Sequence, residues 1–141
     1  MSKKRPELPV PTVPPCMLFC DSVILDQATG KTTLVGAFSG VAATTFPSPP
    51  KDLHIYVQVT SFAGQAEFRL ICLQIDLSEP EEVFFASYPV RFRGKLHVEQ
   101  LHLALHQFQF PCAGEFLFQL WCRGQCLAEG RLTVRQTGVI P

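Results

Sequence analysis

With 141 residues, 47% of them apolar and only 17% charged, this chain has the material for one domain with a substantial core, which excludes disorder for its body. Twelve basic residues balance twelve acidic ones, so no net field draws the protein to nucleic acid or to an anionic membrane. No stretch is apolar and long enough to span a bilayer.

Residues 1–15 hold five prolines and a Lys3-Lys4-Arg5 cluster. Prolines at that density forbid the apolar helix of a secretory signal, so the segment reads as an extended proline-rich arm, and the cysteines are expected to stay reduced in a cytoplasm. The domain proper is expected over 16–135, with a short tail at 136–141. From Cys16 onward the residues alternate apolar and polar with period two. Leu53-His54-Ile55-Tyr56-Val57-Gln58-Val59-Thr60 is the clearest run, with leucine, isoleucine and valines on one face. A strand sends successive side chains to opposite faces, so such a run describes a sheet with one buried and one wet side.

In chain order, strands are predicted over about 16–25, 32–41, 53–62, 66–77, 83–92, 96–105, 115–122 and 126–135. Gly30 supplies the first turn, while Gly36 and Gly40 interrupt the second strand and signal a bulge or a close backbone approach. In the fourth strand Phe68, Leu70 and Cys72 share one parity and Leu73, Ile75 and Leu77 the other. An extra residue near Ile71–Leu73 would keep both halves facing inward. The sixth strand shifts phase in the same way, Leu96 and Val98 giving way to Leu101, Leu103 and Leu105. Pro89 marks the fifth strand as an edge or a bulge. About eight short strands joined by short turns predict an all-β, antiparallel two-sheet sandwich, with a small closed β-barrel as the alternative.

Two segments taken together, Cys20-Asp21-Ser22-Val23 through Gly30, Gly36 and Phe38, and Phe110-Pro111 through Gly114-Glu115-Phe116, Gly124 and Leu127-Ala128-Glu129, resemble a family of small uncharacterised bacterial proteins. The likeness covers about residues 16–135 and implies a fold without an activity. The later segment is also similar to the penultimate hairpin of immunoglobulin-like domains, with Phe116 where those carry the corner tyrosine.

Chemical motifs fail on spacing. Gly30-Lys31-Thr32 lacks the upstream glycine of a phosphate loop, and a β-branched strand follows it. Cys16/Cys20 and Cys122/Cys126 have the look of a four-cysteine zinc set, but residues four apart on a strand lie roughly 13 Å apart. Cys122 and Cys126 flank a turn, which leaves a cross-strand thiol pair open. The histidines at 54, 97, 102 and 106 fall on strands, with His97 and His102 on the solvent side and no nucleophile spaced beside them. Neither a catalytic residue, a cofactor nor a metal is expected.

One feature carries a functional expectation. The seventh strand must bury Phe116, Phe118 and Leu120, and the eighth Leu132 and Val134. An odd-length loop, Arg123-Gly124-Gln125, sets Phe118 opposite Gly130 and Leu120 opposite Ala128. Trp121 and Leu127 then face each other outside, with Leu117 on the same side, as anchors for a protein partner or a second copy. The reading is a non-enzymatic protein-interaction or accessory module of a bacterial cytosolic assembly. The alternatives are a small hydrolase or metal-dependent enzyme using the strand histidines, and a carrier of an apolar ligand between the sheets.

Overall fold

A computed structural model describes residues 17–59, 63–93 and 99–138, so the proline-rich arm, His97 and the Leu96/Val98 half of the sixth predicted strand lie outside the described residues. Among the described residues nine strands form: β1 (Leu18–Leu25), β2 (Thr32–Phe38), β3 (Gly40–Ala43), β4 (Lys51–Val59), β5 (Ala63–Gln74), β6 (Glu81–Arg93), β7 (Glu99–Phe108), β8 (Gly114–Cys122) and β9 (Gln125–Gln136). They build two separate sheets, a four-stranded one in the order β2-β1-β4-β7 and a five-stranded one in the order β3-β9-β8-β5-β6. The architecture is the sandwich, and the barrel alternative falls.

The second predicted strand is two strands in two sheets. β2 pairs with β1, the backbone crosses at Ser39–Gly40, and β3 then runs parallel to β9 from Gly40↔Thr133 to Ala43↔Gln136. Gly36 has φ of +67°, a backbone conformation that favours glycine, and a Cβ there would crowd the Asp21 carboxylate. Residues 63–65, which fall between the third and fourth predicted strands, belong to β5.

The alternation in β4 is as expected: Leu53, Ile55 and Val57 are buried, facing Phe68, Leu70 and Cys72 of β5 and Phe116, Phe118 and Leu120 of β8 in one core. Phenylalanines knit the layers together, with Phe19 against Phe118 at 5.1 Å between ring centroids, Phe108 against Phe110 at 4.9 Å and Phe110 against Phe116 at 5.2 Å. Gly130 lies opposite Phe118, and a Cβ on it would come within 2.7 Å of the Phe19 ring, so its hydrogen makes room for that ring. At one end of the sandwich Ser48 Oγ accepts the Phe110 amide at 2.7 Å, and the Ser48 amide donates back to the Phe110 carbonyl at 2.9 Å. This pair ties the loop after β3 to the loop after β7.

The fourth-strand expectation needs correction. The register between β5 and β6 jumps from Cys72↔Phe84 to Leu73↔Glu82, leaving Val83 as the extra residue. The bulge therefore sits on β6, β5 keeps its phase, and Ile71 and Leu73 face outward. Beyond the strand, Leu77 is exposed rather than buried.

Candidate protein-interaction surface

The outer face of the five-stranded sheet follows from the inner one. Because Phe116, Phe118, Leu120 and Cys122 are buried, Leu117, Gln119 and Trp121 of β8 project to the other side. On β5, by the same parity, Arg69, Ile71 and Leu73 project outward, with Phe85 opposite Ile71 on β6. The register sets Leu73 beside Leu117, Ile71 beside Gln119 and Arg69 beside Trp121. An apolar strip thus runs across three strands through Phe85, Ile71, Leu73 and Leu117, with Trp121 at one corner. Phe85 is the most open member, 46% exposed. The Arg69 guanidinium lies over its ring at 4.8 Å, and this contact holds the cation against the strip.

Of the three residues expected to form the contact, Leu117 and Trp121 share this face and are half-buried. The Trp121 indole N–H donates to Gln119 Oε1 at 3.2 Å, and the Gln119 amide donates to Glu129 Oε1 at 2.9 Å, which fixes the edge of the ring. Leu127 is placed differently. Phe118 does pair with Gly130 and Leu120 with Ala128, but Trp121 pairs with Cys126. The connection is a two-residue turn, Arg123 at φ 51° and Gly124 at φ 76°, the paired positive values of the tight hairpin turn that matches strand twist. The odd residue is Leu127 itself, a bulge without a partner on β8, and its side chain packs against the edge of the core. The same count separates the two cysteines. Cys122 faces the core and Cys126 is exposed; both are free thiols, so no cross-strand pair forms.

The phase of β5 hid Ile71 and Leu73 from sequence reasoning. With the bulge assigned to β5, Leu73 counted as core, whereas placing it on β6 adds both residues to the strip. Elsewhere Ile24 and Leu25 of β1 and Val35 of β2 are exposed at 53%, 60% and 42%.

His54, His102 and His106 share the outer face of the other sheet. His54 Nδ1 and His102 Nε2 are 2.7 Å apart, and His106 lies 3.7 Å from Asp52, which also accepts the Gln107 amide at 3.0 Å. Burial, and then the neighbouring His54, push the His102 pKa down, while the Gln107 amide and the His106 imidazole hold that of Asp52 low. Burial pushes the Cys72 thiol up to about 12 and raises Cys20, Cys122 and Cys126 as well. Among the described residues, no group of three or more His, Cys, Asp or Glu side chains is placed to hold a metal ion. A cavity of about 490 Å³ opens at the end of the sandwich between Phe38, Val41, Phe108 and Phe110, with the Asp21–Lys51 ion pair on its rim.

Residues 15–135 match the model of DUF6941, a family of unknown function. No curated protein matches the sequence significantly. Among solved structures, a β-glucosidase from Listeria innocua in complex with gluconolactone aligns at 10% identity and a TM-score of 0.46, over 73% of this chain and 15% of the glucosidase. A β-glucosidase from Kluyveromyces marxianus aligns at 13% identity and a TM-score of 0.43, over 77% and 16%. The chain therefore spans less than a fifth of these enzymes.

Proposed function

The chain belongs to the DUF6941 family, whose function is undefined, and from its geometry we propose that it is a non-enzymatic protein-interaction module of a bacterial cytoplasmic assembly, docking through the outer face of the five-stranded sheet. The observation that carries this reading is the apolar strip from Phe85 to Leu117, with the fixed indole of Trp121 at its corner. Half-buried apolar residues in a row, rimmed by charge, are the anatomy of an anchor region. Among the described residues, Cys20, Cys72, Cys112, Cys122 and Cys126 are free thiols, which suits a reducing compartment.

The charges at the rim favour a partner that carries both signs. Arg69, Arg91 and Arg131 stand on the same face as Glu67, Glu82 and Glu129. A partner of one strong sign gains as much repulsion as attraction there. A face that carries both signs can be complementary to itself about a two-fold axis, and a self-complementary patch is what a two-fold interface requires. That supports a second copy of this chain as the occupant.

Trp121→Ala tests the reading. Truncating an interface tryptophan commonly costs about 2 kcal/mol or more, so dimer dissociation measured by sedimentation equilibrium should rise at least tenfold. Folding stability, for a half-buried ring, should fall by only about 1 kcal/mol. A protein that is monomeric at every concentration rules out the second copy as partner. A destabilised monomer with unchanged association would place the indole outside the contact.

The cavity at the end of the sandwich favours a second reading, a carrier for a small apolar molecule, because its volume falls in the range of ligand pockets and its floor is aromatic. Native mass spectrometry of the purified protein checks it: a retained ligand mass supports the carrier, and the bare chain mass removes that support.

A further inference from the structure

The outer face of the four-stranded sheet carries a pair of imidazoles that the interaction reading does not use. β4 and β7 pair with Tyr56 opposite His102 and His54 opposite Ala104, so the two histidines are diagonal neighbours on one face. Their facing nitrogens, Nδ1 of His54 and Nε2 of His102, are 2.7 Å apart, while the ring centroids are 4.9 Å apart. The centroid separation exceeds the nitrogen separation by about the width of one ring. The rings therefore meet nitrogen to nitrogen rather than face over face, with both lone-pair directions aimed into the gap between them.

We infer that His54 and His102 form a two-imidazole clip for a divalent transition-metal ion. In the metal-free pair one ring donates a proton to the other across the gap. For an ion to enter, that proton moves through solvent to the outer nitrogen of its own ring. Both rings stay neutral, and two lone pairs then face each other across the gap, to converge on one ion once the rings turn apart. Two metal–nitrogen bonds of about 2.0–2.1 Å at a tetrahedral angle set the nitrogens about 3.4 Å apart. Rings at a partly exposed surface reach that spacing by side-chain rotation alone. Of the neighbouring donors, Cys20 lies opposite His54 on β1, buried and with its thiol toward the His54 carbonyl at 3.9 Å, and Asp52 holds the Gln107 amide and His106. Water completes the coordination. Imidazole donors select copper, nickel and zinc over calcium and magnesium. The clip lies on the opposite sheet from the proposed protein contact, so neither inference depends on the other.

Isothermal titration of Ni²⁺ and Zn²⁺ into the full chain under reducing conditions tests the clip, with Ca²⁺ as the control ion. One equivalent of Ni²⁺ or Zn²⁺ should bind, and Ca²⁺ should give no heat. His54→Gln and His102→Gln should each weaken binding about tenfold or more, since even the loss of an orienting partner behind a ligand costs that much. His106→Gln and Cys126→Ser should leave affinity unchanged, and thermal melting should confirm that every variant is folded. Absence of binding overturns the inference. So does a loss that follows His106 or the exposed Cys126 thiol instead of the pair, or equal affinity in the His102→Gln protein.

Discussion

Replacing Phe118 by alanine tests the sandwich at its centre. Phe118 is fully buried on β8, 5.1 Å from the Phe19 ring of the facing sheet and 6.1 Å from that of Phe108. Truncation removes the aromatic bridge between the layers and leaves a void walled by two rings that Gly130 cannot fill. Phe→Ala at such a site costs about 3–5 kcal/mol, against a total stability for a domain of about 5–15 kcal/mol. The melting temperature should fall on the order of 10–20 °C. Its neighbour provides the internal control: Leu117, one residue away and projecting outward, should lose only about 1 kcal/mol as alanine. Urea unfolding followed by tryptophan fluorescence reads both, with an unchanged m-value showing that the unfolded states are comparable. A loss at Phe118 below about 1 kcal/mol, or equal losses at the two positions, would refute the inward–outward parity on which the interaction face rests.

Gly130→Ala should destabilise the protein by about 1–3 kcal/mol in the same unfolding assay, because the new methyl meets the Phe19 ring at 2.7 Å in an already filled core. A neutral substitution would show that Phe19 does not pack there. His102 should titrate below the ordinary histidine value of 6.5 in an NMR pH series. A histidine whose folded pKa is depressed binds fewer protons than the unfolded chain, so stability is retained above 6.5 and declines as pH falls from there towards the folded pKa. His54→Gln removes the smaller, electrostatic cause and should move the His102 midpoint back upward. An unchanged midpoint would separate the two rings in solution. Cys126 should react with a maleimide quickly in the native protein and Cys72 only on unfolding, since Cys126 is exposed while burial pushes the Cys72 thiol up to about 12. Mass mapping of the labelled sites distinguishes the two, and prompt native labelling of Cys72 would contradict its place in the core.

The parts legible in the sequence are those that one strand or one hairpin states by itself. Leu53, Ile55 and Val57 announce the buried face of β4. Phe116, Phe118 and Leu120 do so for β8, and core demands on both strands of the last hairpin place Gly130 and Ala128 correctly. Counting parity required one odd residue in that hairpin but could not say which, and a tight turn with a bulge at Leu127 satisfies the count as well as a three-residue loop does. The same ambiguity put the β5–β6 bulge on the wrong strand, since a phase shift is shared by two paired strands and only their register tells which one carries Val83. The crossing at Gly40 was legible as an interruption but not as a change of sheet, because its parallel partner β9 lies about ninety residues later. The meeting of His54 and His102 depends on the pairing of β4 with β7, strands that are distant in the chain, and nothing local to either histidine encodes it.

The central claim is that the outer face of the five-stranded sheet binds a second copy of the chain. Dilution of a methyl-labelled sample, followed by carbon–proton NMR, tests it most directly. The methyl signals of Ile71, Leu73 and Leu117 should shift together as the dimer dissociates, while those of Ile24, Leu25 and Val35, equally apolar and more open on the other sheet, stay in place. Shifts confined to Ile24, Leu25 and Val35, or spectra identical at every concentration, would contradict the account.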